Sequence, residues 1–215
     1  MSDRQTAIQA IRDAFAPNAY PGDAYLQGST EGSEPYEEVE PFRGMTDWQT
    51  LDAPFLDAHA SAISFFSEAG FRFFLPAYLV ADLQDLLQSA DPSFAVTGGF
   101  SDSQVDTMVR GRRFVAKAGK SELINPRRYG AATSYDYARY RLSVFTREES
   151  AAIVAYLECK RDSDAYRTSW TQIDAALNSF WRERSMTAPT AADLQKHLNE
   201  KAAFVAALRE AGGSQ

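Results

Sequence analysis

The stretch from Phe65 to Leu87 constrains the fold more than any other part of the sequence. It contains five Phe and one Tyr, and a single Gly and a single Pro interrupt it. Aromatic and aliphatic side chains at this density gain free energy by leaving water. The stretch is therefore predicted to form the centre of the hydrophobic core.

Within this stretch, apolar residues recur at steps of three and four, which is typical of a buried helix. We predict a helix over 71–90, with Leu86 on its buried face and Asp82 on its wet face. Gly70 is expected to end a preceding helix, which starts near Pro54. Pro76 then lies one turn into the second helix, where its missing N–H costs little.

The flanking segments also favour helices. Ile8, Ile11 and Phe15 predict a first helix over 3–16, and Thr146 with Glu149 has the form of a capping box that opens another. Residues 20–46 are rich in Gly, Pro and Ser and predict a surface loop. The pattern over 94–144 is weaker. Segments 94–100, 112–117 and 139–145 are either short strands, with a turn at Gly98-Gly99, or irregular segments between short helices.

The last third predicts two amphipathic helices. The first has a stripe made of Tyr166, Trp170, Ile173, Leu177, Phe180 and Trp181. The second opens at Thr190 and closes at Gly212-Gly213, and its predicted buried residues are Leu194, Leu198, Ala202, Val205 and Leu208. The two helices form a hairpin that either packs on the core or mediates self-association.

These patterns predict a mainly α protein: a single helical domain with a C-terminal helical hairpin and at most a small β-hairpin in the middle. Residues 1–162 form the core domain, with an acidic N-terminal loop and a basic middle segment. Residues 163–215 form the helical hairpin.

Composition excludes several function classes. No apolar run approaches the roughly 18 residues of a membrane span, and the charged N-terminus does not have the form of a signal peptide. The lone Cys159 suits a reducing compartment, so a cytoplasmic protein without a membrane partner is predicted. The net charge of −7 argues against nucleic acid as a partner.

Charge is segregated along the chain. Residues 23–57 contain nine acids against Arg43, while residues 109–147 contain ten bases against two acids. The two segments either neutralise each other in the fold or leave a basic patch for an anionic partner. The residues predicted to bind such an anion or partner protein are Arg110, Arg112, Arg113, Arg127 and Arg128.

No motif points to catalysis. Gly119-Lys120-Ser121 lacks the upstream Gly of a phosphate-binding loop. Two His and one Cys do not have the spacing of a metal site, and Cys159 lies inside a predicted helix without an activating group. No catalytic residue, cofactor or metal is therefore predicted.

Four phrases together resemble a family of uncharacterised bacterial proteins with a central phrase similar to GFRYFLPAYL. They are Tyr20–Asp23, Phe42–Gly44 with Trp48, Phe65–Leu79, and Phe145–Glu149. The resemblance covers roughly residues 5–160. It implies a domain of unknown function and brings no catalytic residue with it. This chain departs from the family after Arg161 and over 94–141.

The sequence thus favours a cytoplasmic protein-binding or accessory module, for instance one of the immunity type, that contacts another protein. The alternative is an enzyme that acts on an anionic small substrate through an arginine-rich pocket. Homo-oligomers through the C-terminal helices are a further expectation.

Overall fold

The computed structural model describes residues 3–162 and 170–212. Its helices are α1 (Asp3–Phe15), α2 (Glu34–Val39), α3 (Ala53–Ala58), α4 (Ala62–Phe65), α5 (Glu68–Leu83), α6 (Pro92–Thr97), α7 (Pro126–Tyr129), α8 (Ser134–Leu142), α9 (Arg147–Arg161), α10 (Trp170–Ala176), α11 (Arg182–Thr187) and α12 (Ala191–Gly212). A π-helical turn, Leu177–Trp181, joins α10 to α11 and makes one continuous helical segment. Two strands, β1 (Asp102–Val109) and β2 (Arg112–Gly119), form an antiparallel hairpin. The mainly α class with a small central hairpin is confirmed.

Helix α5 is the centre of the core, as predicted, and from Gly70 onward it is buried along almost its whole length. It packs against α1 and α9, and α9 in turn packs against the 170–187 segment. Within the described ranges, none of the helices combines the length and the apolar character that crossing a bilayer requires.

The predicted break at Gly70 is wrong. The helical structure is interrupted at Phe66, which is extended. Ser67 then caps α5 by accepting a hydrogen bond from the Gly70 N–H at 3.0 Å. Gly70 lies in the first turn of α5, where a Cβ atom would come within 2.8 Å of the Leu26 carbonyl oxygen. Glycine is required here by the close approach of the N-terminal loop rather than by a helix end.

Three further expectations for α5 are corrected. Pro76 lies inside the helix, two turns beyond its start. The helix ends at Leu83, so Leu86 is exposed. Asp82 is buried rather than wet, because it accepts hydrogen bonds from the Lys160 ammonium group at 2.9 Å and from the Tyr156 hydroxyl of α9. A buried carboxylate requires partners of this kind.

The middle of the chain differs from the predicted turn. Residues 94–97 are helical, and the hairpin turns at Arg110-Gly111, where both residues have positive φ values of 50° and 76°. That backbone matches a two-residue turn of the type that favours tight hairpins. The 112–117 strand is confirmed within β2, whereas residues 139–142 belong to α8. The capping box at Thr146 and Glu149 is confirmed, with both hydrogen bonds present.

The two predicted C-terminal helices differ in burial. In the 170–187 segment, Ile173, Leu177, Phe180 and Trp181 are buried as predicted. In α12 the predicted burial of Leu198, Ala202, Val205 and Leu208 is wrong, since all four are exposed and Leu194 is half-buried. Tyr166 and Gly213 lie outside the described residues.

Candidate functional site

Three of the predicted arginines lie together at the turn of the hairpin. Arg110 is in the turn itself, and Arg112 and Arg113 open β2. All three are exposed. Arg113 forms a bidentate ion pair with Asp106, whose carboxylate oxygens lie 2.8 and 2.9 Å from its Nε atom, and this contact raises the pKa of Arg113. Neither Arg110 nor Arg112 has an ion pair within the described part of the chain.

The other two predicted arginines lie on the short helix α7. Arg128 forms an ion pair with Glu31 of the acidic loop at 2.5 Å and lies over the ring of Tyr129 at 5.2 Å. Arg127 is exposed. The Arg128–Glu31 pair is the one ion pair between the acidic loop and the basic segment that the described residues contain. Most of the charge segregation therefore remains at the surface.

We use the name hairpin tip for residues 106–115. Every side chain in this range is exposed, including the apolar side chains of Met108, Val109, Phe114 and Val115. Phe114 is 51% exposed and Met108 65% exposed. Folded domains usually cover apolar clusters of this kind, and exposed ones are typical of surfaces that contact another molecule.

The register of the hairpin places unlike residues on its two faces. Thr107 is opposite Phe114 and Val109 is opposite Arg112, so these four residues share one face. The other face has Asp106, Met108, Arg113 and Val115, and its charges cancel in the Asp106–Arg113 pair. The Phe114 face therefore combines apolar area with the one unpaired cation, Arg112.

A cavity of about 510 Å³ lies at the base of the hairpin, and we call it the Arg141 cavity. Its walls come from α4, α6, α8 and the hairpin residues nearest the body, namely Ser103, Ala118 and Gly119. A second cavity, next to the acidic loop, shares Ser64, Tyr137 and Arg141 with the first. These three side chains lie where the two cavities meet.

Arg141 is the unusual residue of this cavity. Its guanidinium group donates one hydrogen bond to the Ile63 carbonyl oxygen at 3.2 Å and stacks 4.3 Å from the centre of the Phe71 ring. Burial lowers its pKa, an effect that Tyr137 and Glu68 partly oppose. Over residues 3–162 and 170–212, no carboxylate lies within ion-pair distance of it.

The sequence did not indicate this site. Arg141 belongs to the predicted basic segment, but the pattern over 139–145 predicts either a short strand or an irregular segment, and neither brings Tyr137 and Arg141 onto one face. On a helix, residues four apart lie on the same face, and α8 places both side chains at the same two cavities. The useful signal was thus the helical register of α8.

Other reactive groups do not converge. His197 is exposed on α12, and burial raises the pKa of the Cys159 thiol, which keeps it protonated and weakly nucleophilic. Across the part of the chain that the structure describes, no group of three or more His, Cys, Asp or Glu side chains is arranged to hold a metal ion.

Comparisons of the chain with protein family models, with curated proteins and with solved structures found no match. The resemblance to uncharacterised bacterial proteins therefore stays a prediction. Function has to be argued from the hairpin tip and the Arg141 cavity themselves.

Proposed function

We propose that the protein is a protein-binding module that contacts its partner through the Phe114 face of the hairpin tip. The partner surface has an apolar centre beside acidic side chains. An accessory or immunity-type protein that covers part of another protein would work in this way. The proposal places the protein in the cytoplasm, as its single Cys159 suggests.

The observation that carries this proposal is the exposure of apolar side chains next to unpaired arginines at the end of a hairpin. Phe114 and Val109 lie on one face with Arg112, and Arg110 is in the adjoining turn. Aromatic residues and Arg are enriched at the centres of protein interfaces. The positive charge selects an acidic rim on the partner.

The hairpin geometry supports the same proposal. Each strand of a two-stranded sheet has one edge without a neighbouring strand, and β1 and β2 pair with each other alone among the described residues. A two-stranded hairpin is marginally stable in isolation. A partner that packs against the Phe114 face would stabilise it.

The positions of the arginines argue against the alternative hypothesis, an enzyme with an arginine-rich pocket. Arg110, Arg112 and Arg113 lie at the hairpin turn, whereas Arg127 and Arg128 lie on α7. An arginine-rich active site requires these side chains to converge on one concave pocket. Their separation onto two elements favours a contact surface.

The first experiment is photo-crosslinking in the cells that make the protein. The full chain has p-benzoylphenylalanine in place of Phe114, and a control has it in place of Met186, an exposed residue of α11. We expect a protein adduct from position 114 that is absent from position 186. The crosslinked protein is then purified, and its affinity for the unmodified chain is measured.

Substitutions decide whether the hairpin tip provides the binding energy. We expect Phe114→Ser and Arg112→Ser each to weaken the affinity by about tenfold or more. Phe204→Ser on α12 and Arg127→Ser on α7 are matched controls, because both residues are exposed, and they should leave the affinity unchanged. Equal binding by Phe114→Ser and the unmodified chain would contradict the proposal.

The exposed apolar side chains of α12 favour a second role in self-association. Leu198, Val205 and Leu208 are exposed along the helix, and a second copy of the chain is the proposed occupant of this face. Asp193 and Glu200 balance Lys196 and Lys201, so two copies of α12 do not repel each other.

Sedimentation equilibrium should show a dimer that Leu198→Glu converts to a monomer. An unmodified chain that is monomeric at all concentrations would contradict this role.

A further inference from the structure

We propose that the Arg141 cavity binds a small organic molecule through its carboxylate group, with Arg141, Tyr137 and Ser64 as the donors. This site is distinct from the hairpin tip and does not depend on the partner protein. Its ligand is a monocarboxylate with an apolar body.

The guanidinium group of Arg141 is the first reason. It has five N–H donors, and one of them donates to the Ile63 carbonyl oxygen. The centre of the Phe71 ring lies 4.3 Å from its Cζ atom, which is a cation–π contact. A cation taken out of water is costly unless an anion compensates it. Since no carboxylate of the described chain pairs with Arg141, a bound anion would supply the missing partner.

Two residues with hydroxyl groups, Tyr137 and Ser64, line the same two cavities as Arg141. Tyr137 is one helical turn before Arg141 on α8, and Ser64 follows the residue whose carbonyl oxygen accepts from Arg141. Both line the cavity, and neither hydroxyl has a hydrogen-bond partner among the described residues. A guanidinium group with two neighbouring hydroxyls can satisfy both oxygens of a carboxylate.

The rest of the cavity suits an apolar ligand body. Its volume of about 510 Å³ lies within the roughly 300–1,000 Å³ typical of small-molecule sites. Such sites combine apolar walls with a few polar groups that orient the ligand. The apolar lining residues include Ile63, Phe94, Ala95, Ala138 and Leu142.

The charges of the lining favour a carboxylate over a phosphate. Arg141 is the one cationic side chain among the lining residues, whereas Asp91 and Glu122 line the same cavity. Asp91 already accepts from the Phe94 N–H at 3.0 Å, and Glu122 accepts from the Ser134 hydroxyl at 3.4 Å. Two carboxylates repel a dianion more strongly than a monoanion, and Glu68 adds to this from the other side of Arg141.

The test uses the full chain labelled with ¹⁵N and two probes, benzoate and hexanoate. We expect saturable shifts of amide signals from residues that line the cavity. Benzyl alcohol, which has a similar body without the charge, and inorganic phosphate should each bind at least about tenfold more weakly than benzoate, because neither offers a monoanionic carboxylate.

Variants test the three donors. Arg141→Gln should weaken benzoate binding by about tenfold or more, and Tyr137→Phe and Ser64→Ala by several-fold each. Arg139→Gln is the matched control, since Arg139 lies on the same helix but over the Tyr135 ring and is exposed. If Arg141→Gln does not fold, the other two variants decide the question, because each removes a single hydroxyl oxygen.

The proposal is overturned if no carboxylate gives saturable shifts at millimolar concentration. It is also overturned if phosphate binds as well as benzoate, or if Tyr137→Phe and Ser64→Ala both bind like the unmodified chain. Phe114→Ser should retain benzoate binding in full. Failure of this proposal is therefore distinguishable from failure of the proposed protein contact.

Discussion

The 170–187 segment and α12 follow each other in the chain and have similar amphipathic patterns, yet only the first is buried. Trp181 donates a hydrogen bond to the Val96 carbonyl oxygen at 2.8 Å, and Phe180 stacks on Phe100 at 5.3 Å. Helix α12 is held at its start, where its Ala191 N–H donates to Glu148 at 3.1 Å. Beyond that turn, the side chains whose exposure the structure describes face solvent.

An apolar stripe thus shows which face of a helix can be buried, but not whether another element of the same chain covers that face. The 170–187 segment packs against α6 and α9. Helices α5 and α9 contact α1, and α9 contacts the 170–187 segment, whereas α12 has no comparable contact with α5 or α9 among the described residues. The α12 stripe is therefore exposed, without a covering element among the described residues.

The largest expected effect comes from removing the anchor of the 170–187 segment. Trp181→Ala removes a fully buried indole and leaves the Val96 carbonyl oxygen without its donor. We expect the free energy of unfolding to fall by about 3–5 kcal/mol. Urea unfolding followed by circular dichroism measures this. A loss under about 1 kcal/mol would mean that the segment is not part of the core.

A matched pair of leucines compares the two helices directly. Leu177→Ala creates a cavity in the core and should cost about 2–5 kcal/mol, because Leu177 is fully buried. Leu198→Ala should change the free energy of unfolding by no more than about 0.5 kcal/mol, because Leu198 is 57% exposed. Both are measured in dilute protein, so that self-association does not contribute. Similar losses in the free energy of unfolding for the two variants would contradict the difference in burial between the two helices.

The smallest expected effect concerns the start of α12. The backbone N–H and the hydroxyl of Thr190 donate to the Asp193 carboxylate at 2.9 and 2.7 Å, and the backbone hydrogen bond is the main cause that lowers the pKa of Asp193 below 3.8. The folded cap thus favours the charged form. Its stabilising effect is complete above the unfolded pKa and is lost as the pH falls through the lower, folded pKa.

Amide chemical shifts in the first turn of α12 measure this loss between neutral and acid pH. Asp193→Asn should remove the transition. Glu148→Gln separates the contribution of the second carboxylate at this helix start, which accepts from Ala191. A transition that persists in Asp193→Asn and vanishes in Glu148→Gln would assign the effect to Glu148 and contradict the prediction.

Much of the core could be predicted from sequence because its signals are local. The spacing of Ile8, Ile11 and Phe15, and the capping box at Thr146 and Glu149, depend on residues within one or two turns of a helix, and both are confirmed. Gly70 and Asp82 were misinterpreted because their roles depend on Leu26 and Lys160, which are distant in the chain.

The candidate sites show the same division. The arginines at the hairpin were visible as charge, but their exposure beside Phe114 follows from the register of β1 and β2. Arg141 looked like one base among ten. Its position, without an ion-pair partner among the described residues, arises only when α4, α5 and α8 meet, since Ile63, Phe71 and Arg141 come from these three helices.

The sequence alone was enough to predict that the chain is mainly helical, that the Phe65–Leu87 stretch contains the central core helix, and that positive charge is concentrated after Val109, because composition and spacing act over short distances. Only the tertiary structure shows which apolar faces are covered, that Arg141 has no ion pair among the described residues, and that Asp82 is buried. Those outcomes depend on contacts between residues far apart in the chain, such as Asp82 with Lys160, and no local pattern encodes them.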